Sequence, residues 1–238
     1  MAEQLGLVKC LEEIGSSFGD IGLMKTDPVK IILRDGAVPY NVCVPRRIPF
    51  PMMKKVESEI KRMEELQVIK KVNEPTDWCA PMVPVVKTNG NIRLCVDLRI
   101  LNKSVQRELF ILPTVEDISQ KLTGATVFST LDCSSSFWQL PLDEVSAKLT
   151  TFITPTGRYY FKRMPYGLAS ATEIFQKKLF ELLRDVHGAI VDIDDILVFG
   201  KDKTEHDANL TKVLRLLHDA GLKLNKSKCK FRQQEVRY

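Results

Sequence analysis

The residues best suited to chemistry in this chain are carboxylates. Asp194 and Asp195 are adjacent and lie between Ile190-Val191 and Ile196-Leu197-Val198, at the tip of two apolar strands. Burying uncompensated carboxylates is costly, so such a tip calls for a cation, a basic partner or solvent. A third acid, Asp132, closes the β-branched and aromatic run from Thr126 to Leu131. If that strand neighbours the hairpin, three carboxylates converge at one edge. This is the arrangement needed to hold two Mg²⁺ ions for in-line displacement at phosphorus. Magnesium suits a site with few carboxylates, completed by substrate phosphates and water. The plainer alternative for Asp194-Asp195 is a solvated hairpin turn, where Asp is common.

The elements that must position these acids follow from periodicity. Residues 1–26 read as a linker or lead-in, with a short patch (Leu5, Val8, Leu11) and a Gly-rich stretch from Gly15 to Gly22. Val29 to Leu33 is predicted as a strand closed by the turn dipeptide Asp35-Gly36. Pro45 to Pro51 is an extended connector, and a helix from about Met53 presents Val56, Ile60, Met63 and Leu66 or Gln67 on one face. Strands Val83–Lys87 and Ile92–Asp97 meet through Thr88-Asn89-Gly90-Asn91, a hairpin signal. Lys87 and Arg93, near its base, could hold a polyanion or simply be two exposed cations. Thr114-Val115-Glu116-Asp117 resembles a capping box. Lys148–Thr154 and Arg158–Lys162 form another hairpin, and the next helix carries Phe175, Leu179, Leu182 and Leu183. Strands 189–192 and 196–199 enclose the acidic turn. Thr204-Glu205-His206-Asp207 caps a last long helix (Leu210, Val213, Leu214, Leu217), ended by Gly221. The order implies an α/β (α+β) fold with an antiparallel sheet covered on one side by helices.

Composition sets outer bounds. The formal charge is +5, with basic clusters at Arg46-Arg47, Lys54-Lys55, Lys61-Arg62, Lys70-Lys71 and from Lys223 to Arg232. These clusters could frame a groove for phosphates or be ordinary solvated helix faces. Six scattered cysteines without a C-x-x-C pair argue for reduced thiols and against a zinc knuckle. No apolar run is long enough to span a membrane and no signal-peptide core opens the chain, so an intracellular protein, in a cytoplasmic particle or the nucleus, is expected.

Four ordered motifs resemble a known family. Arg93-Leu94-Cys95-Val96-Asp97-Leu98-Arg99-Ile100-Leu101-Asn102 resembles a fingers motif of reverse transcriptases. Phe128-Ser129-Thr130-Leu131-Asp132, followed by Phe137-Trp138-Gln139, resembles their first catalytic motif. Arg163-Met164-Pro165-Tyr166-Gly167-Leu168 through Ile174-Phe175-Gln176 resembles a third segment, and the Asp-Asp hairpin resembles the Tyr-x-Asp-Asp box. Thr150-Thr151-Phe152 and the closing Asn225 to Phe231 make gypsy-like LTR retrotransposons the nearest resemblance.

The resemblance implies a right-hand polymerase fragment, with residues 27–125 mainly fingers and 126–238 mainly palm. It implies an RNA-directed DNA polymerase that adds dNTPs to a primer on an RNA or DNA template. Asp132, Asp194 and Asp195 would be catalytic and bind two Mg²⁺ ions, with Mn²⁺ as a substitute. Lys87 and Arg93 would hold the triphosphate, and Phe137 would reject a ribose 2′-hydroxyl by bulk. Tyr166 would lie near nucleotide or template, and Lys226 or Lys228 would be the general acid for pyrophosphate. Asp97 and Arg99 are expected to pair structurally. Thumb and RNase H regions of a parent polyprotein are the expected partners, the sequence stopping before a primer-grip strand and thumb.

This chain departs from the family pattern at three places. Asp192 stands where a Tyr is usual, Ser136 where a Gly is usual, and Thr172 where a Pro is usual. On a continuous strand Asp192 would share a face with Asp194 at ~7 Å, with no counter-charge evident nearby in sequence. The rival readings are a decayed, non-catalytic remnant that at most binds nucleic acid, and a different two-metal phosphotransferase such as a nuclease.

Overall fold

The computed structural model describes residues 15–88, 90–111 and 114–236, with only the backbone of Ser16 and Val115. The patch Leu5, Val8, Leu11 and the hairpin residue Asn89 lie outside the described residues. In chain order the elements are α1 (Phe50–Glu65), β1 (Ile69–Val72), β2 (Ala80–Val86), β3 (Ile92–Val96), α2 (Arg99–Ser104) and α3 (Val115–Lys121). They continue with β4 (Val127–Asp132), α4 (Glu144–Leu149), β5 (Phe152–Thr154), β6 (Gly157–Phe161) and α5 (Ala171–Leu183). The last are β7 (Ala189–Asp192), β8 (Asp195–Gly200), α6 (Lys203–Asp219) and β9 (Lys230–Gln233). No helix among the described residues is long and apolar enough to cross a membrane.

Two compact units divide the chain, and neither is continuous in sequence. One gathers 27–107 and 140–171; the other gathers the chain up to Thr26, 108–139 and 172–238. A split at residue 125 into contiguous halves therefore does not describe how the chain clusters.

The 27–107/140–171 unit is built on a five-stranded sheet of order β1-β6-β5-β2-β3. Its pairs are antiparallel except β2 with β5, which run parallel from Ala80 opposite Phe152. Phe152 is fully buried, and its ring centroid lies 5.2 Å from that of Phe161. α1 starts at Phe50, earlier than the sequence suggests, because Pro51 sits in the first turn, where its missing N–H is not needed. Val56, Ile60 and Met63 are its buried face, as the spacing predicts, but the helix ends at Glu65, so Leu66 and Gln67 do not extend that face. Val29 to Leu33 is not a sheet strand. It makes only isolated bridges, Val29 to Leu142 and Leu33 to Val105. Lys148 ends a short helix and is not in a strand; Asp143 caps that helix by accepting from the Ser146 N–H.

The other unit is built on a four-stranded antiparallel sheet of order β7-β8-β4-β9. Ile196, Leu197 and Val198 of its inner strand β8 are fully buried, so both faces of the sheet are covered along this stretch. Alternation places Leu197 with Phe128 and Ile190 on one face, where Ile118 of α3 closes over them. On the opposite face Ser129 meets His206 of α6. The capping box predicted at Thr114 is present, with Asp117 as its reciprocal partner. For α6 the cap lies two residues before the predicted Thr204. Asp202 accepts from the Glu205 N–H, while the Glu205 carboxylate turns back to the Lys201 N–H.

Residues 15–26 are not a linker. Leu23 and Lys25 donate backbone hydrogen bonds to the carbonyls of Gly221 and Ala220, and Met24 donates to Gln139. A Cβ at Gly22 would collide with the Gln139 side chain and the Gly221 carbonyl, so that glycine marks a close backbone approach.

A candidate active site at one end of the antiparallel sheet

The site forms where β4, β8 and β7 end together. Asp132 is opposite Asp195 in the β4–β8 register, and Asp195 is opposite Asp192 in β7–β8. Three carboxylates thus stand in a cross-strand row, with neighbouring Cβ atoms ~5 Å apart by sheet geometry. All three line a cavity of about 710 Å³, shared with Phe128, Thr130, Lys228, Lys230, Gln233, Glu235 and Val236.

The hairpin tip corrects the sequence reading. Asp195 is the first residue of β8 and not part of the turn, because Asp192 and Asp195 pair directly. The loop is only Ile193-Asp194, with Ile193 at φ +56°. Asp192 therefore faces Asp195 across the ladder and does not share a continuous strand with Asp194. A counter-charge is present too: Lys228 lines the same cavity and donates to Asp132 Oδ2 at 3.0 Å.

Asp194 sits in the loop with its Oδ1 buried and without a hydrogen-bond partner. Its backbone carbonyl accepts from the Cys133 N–H at 3.2 Å. Burial pushes its carboxyl above the usual carboxylate range, with Asp132 adding to the rise and a hydrogen bond from Ser136 opposing it. The serine found where the family pattern has glycine thus reaches this carboxylate. Burial raises Asp195 as well, followed by Asp132 and Asp194. The Cys133 thiol is pushed far up by burial and then by Asp194 and Asp132, so it is not a nucleophile here.

A divalent cation fits this chemistry: crowded carboxylates, of which Asp194 and Asp195 are pushed above the usual range, one buried oxygen lacking a partner, and an ammonium drawn to Asp132. Among the described residues no three acid, His or Cys side chains enclose a metal-sized space by themselves. The convergence expected from sequence is therefore an open half-site, as suits an ion completed by phosphates and water.

Of the two candidate lysines, Lys228 reaches the carboxylates, whereas Lys226 is exposed in the turn that follows Asn225. Phe137 is 9% exposed and meets Phe175 edge-on, with centroids 5.9 Å apart, so most of its ring is core. Lys87, Arg93 and Tyr166 belong to the other unit. Lys87 is exposed at the base of the β2–β3 hairpin, and the Arg93 guanidinium lies 4.8 Å from the Tyr166 ring centroid. Asp97 pairs with Arg99 through two contacts of 2.8 and 2.7 Å, as expected, and Arg46 adds a third at 3.2 Å.

Gln176 closes one of the sequence motifs, which assigns it no role. Gln176 is 1% exposed; its Nε2 donates to the Val191 carbonyl at 2.7 Å and its Oε1 accepts from the Ile193 N–H at 2.6 Å. No spacing in the sequence marks it, because the contact forms only once α5 packs behind the turn.

Comparisons with known proteins identify the family and the fold. The family profile described as reverse transcriptase (RNA-dependent DNA polymerase) matches residues 85–238. An uncharacterised Caenorhabditis elegans protein is 31% identical over 92% of this chain, which spans 17% of that protein. The retrovirus-related Pol polyprotein from transposon 297 of Drosophila melanogaster is 32% identical over 77% of this chain, which spans 18% of it. The foamy viral protease–reverse transcriptase in complex with an RNA/DNA hybrid superposes over the whole chain with a TM-score of 0.87. Its sequence identity is 24%, and 32% of it is covered, so it speaks to the fold.

Proposed function

The chain belongs to the reverse transcriptase (RNA-dependent DNA polymerase) family, and on that premise we propose that it joins dNTPs to a primer 3′-hydroxyl on an RNA or DNA template, as part of a gypsy-like LTR element polyprotein. The observation that carries this reading is the Asp132–Asp195 cross-strand pair with Asp194 beside it, all inside the matched segment. Asp132, Asp194 and Asp195 would hold Mg²⁺, which supplies activation of the hydroxyl and neutralisation of the triphosphate when bound.

The chain's own groups do the rest. Lys228, which donates to Asp132 at 3.0 Å, would give a proton to the departing pyrophosphate, a role worth ~10²–10⁴-fold in rate for a positioned acid. Lys87 and Arg93 bind triphosphate oxygens, and the Tyr166 ring fixes the Arg93 guanidinium. The small exposed edge of Phe137 limits what fits at the sugar. Thumb and RNase H regions of the parent polyprotein complete the machine, and the 27–107/140–171 unit corresponds to fingers, the other to palm.

Primer extension on poly(rA)/oligo(dT) tests the reading, with a related thumb supplied. Incorporation is expected with Mg²⁺ and should fall to background in Asp132→Asn and Asp195→Asn. Phe137→Ala should raise the ratio of rNTP to dNTP incorporation. A second reading, nucleic-acid binding without synthesis, is favoured by one observation: Asp192 extends the acidic row into the cavity. Retention of primer–template with no extension under either metal would select it.

A further inference from the structure

We propose that Gln176 is a positioning residue that aims Asp194 by clamping the hairpin turn, an inference that rests on the polymerase reading above. A two-residue hairpin loop with positive φ at its first position is normally served by glycine. Here that position is Ile193, at φ +56°. A β-branched residue in the left-handed region is strained and persists only when its surroundings hold it. Gln176 supplies the hold. Its amide donates to the Val191 carbonyl at 2.7 Å and accepts from the Ile193 N–H at 2.6 Å, spanning Asp192 from behind.

The side-chain type matters. A neutral amide offers a donor and an acceptor from one planar group, so one buried residue satisfies both backbone groups without importing charge beside the acids. The clamp is itself fixed. Gln176 is 1% exposed, and its neighbour Phe175 is fully buried with its ring against Phe137. Since Asp194 directly follows Ile193, the peptide orientation held by Gln176 sets where the Asp194 carboxylate points. The strain at Ile193 and the clamp at Gln176 are thus coupled, and a variant that removes the strain should make the clamp dispensable.

The test uses the full chain, metal-free and then with Mn²⁺ as probe. In Gln176→Met the Ile193 amide should exchange with solvent about tenfold faster, the worth of one hydrogen bond, while Ile196 and Leu197 stay unchanged. The Mn²⁺ dissociation constant should rise by a similar factor. Placing Gln176→Met in an Ile193→Gly background should cost less than about threefold in Mn²⁺ affinity, because glycine adopts the turn unaided. Equal losses in both backgrounds, or an Ile193 amide indifferent to Gln176→Met, would overturn the proposal. If Gln176→Met folds only in the Ile193→Gly background, that rescue itself supports the clamp; failure to fold in both backgrounds counts against it. Primer extension run in parallel separates the two claims. A wild type that incorporates nothing defeats the polymerase reading, while exchange and Mn²⁺ binding still judge the clamp.

Discussion

Asp192 shows how a single residue can carry a molecule's departure from its family. It faces Asp195 across the ladder, Asp195 faces Asp132, and Lys228 is the cation set against the row. A like-charged cross-strand pair costs roughly 0.2–1 kcal/mol. Asp192→Asn should therefore raise the metal-free melting temperature by up to about 2–4 °C, the shift that ~1 kcal/mol gives in a chain of this size. Asp192→Tyr should extend primers faster than the wild type when a related thumb is supplied, since an anion at this place repels template and primer phosphates. An unchanged melting curve would show that Lys228 already neutralises the row; equal or slower extension by Asp192→Tyr would mean the acid is not a defect. At this scale the site was partly legible. The three acids could be found from sequence because carboxylates between apolar strands stand out. Their mutual positions could not, because a two-residue loop makes Asp192 the partner of Asp195, and sequence spacing alone pairs it with Asp194. The roles of Ser136 and Gln176 depend on where their side chains point after folding, which no periodicity encodes.

Secondary-structure elements were legible where one face is apolar over several turns, as in α1, α5 and α6. They were missed where burial is sparse: β1 buries only its ends, with Lys70 and Lys71 exposed between them, and α2 is a single polar turn or two. β9 is a case in which an edge strand is fastened by polar groups and not by apolar burial. Arg232 pairs with Asp207 of α6, and its N–H donates to the Ser129 hydroxyl at 3.0 Å. The same hydroxyl lies 2.8 Å from Nε2 of His206, whose Nδ1 lies 3.0 Å from Asp207. Burial alone would raise the Asp207 carboxyl, but hydrogen bonds from Arg232 and His206 outweigh it and hold the group below the usual range. The sign follows from linkage. A carboxyl whose folded pKa is depressed stabilises the fold above its unfolded pKa, and that contribution is lost as pH falls through the folded value. Comparing wild type with Asp207→Asn by urea denaturation should show a gap of roughly 1.5–3 kcal/mol at pH 7, the worth of hydrogen bonds to a charged group. The gap should begin to narrow near pH 4, where unfolded carboxyls take up protons, and close as pH falls through the lower folded value. A gap that persists at pH 2 would mean Asp207 acts by packing and not by charge.

The chain passes between its two units at 26/27, 107/108, 139/140 and 171/172, so no single cut isolates either one. Sequence reading divides the chain at residues 26/27 and near 125, the second because the strand that ends at Asp132 begins there and motif order suggests contiguous pieces. It has no means to see that Leu140–Ala171 returns to the earlier residues, since a short strand such as β5 carries no mark of which sheet it joins. The consequence can be measured on a fragment spanning 126–238. That piece would keep β4, β7, β8 and β9 but lose Ile118 and Leu122, which close over Phe128, Ile190 and Leu197. It would also lose Leu23, Met24 and Lys25, whose backbone groups bond Gly221, Gln139 and Ala220. And it would carry β5 and β6 without β2 and β1, exposing Phe152, Tyr160 and Phe161, all buried in the whole chain. Three buried aromatics uncovered at once forfeit several kcal/mol, comparable with the whole stability of a typical domain. The fragment is expected to bind the dye ANS and to melt without a cooperative transition, as compact states with lost tertiary packing do. A piece with 15–26 and 108–139 linked to 172–236, omitting 27–107 and 140–171, should instead melt cooperatively, because it restores every segment of the sheet that bears the acids. Sharp melting of the 126–238 fragment, or failure of the spliced piece alone, would show that the units defined by contacts are not the units that fold.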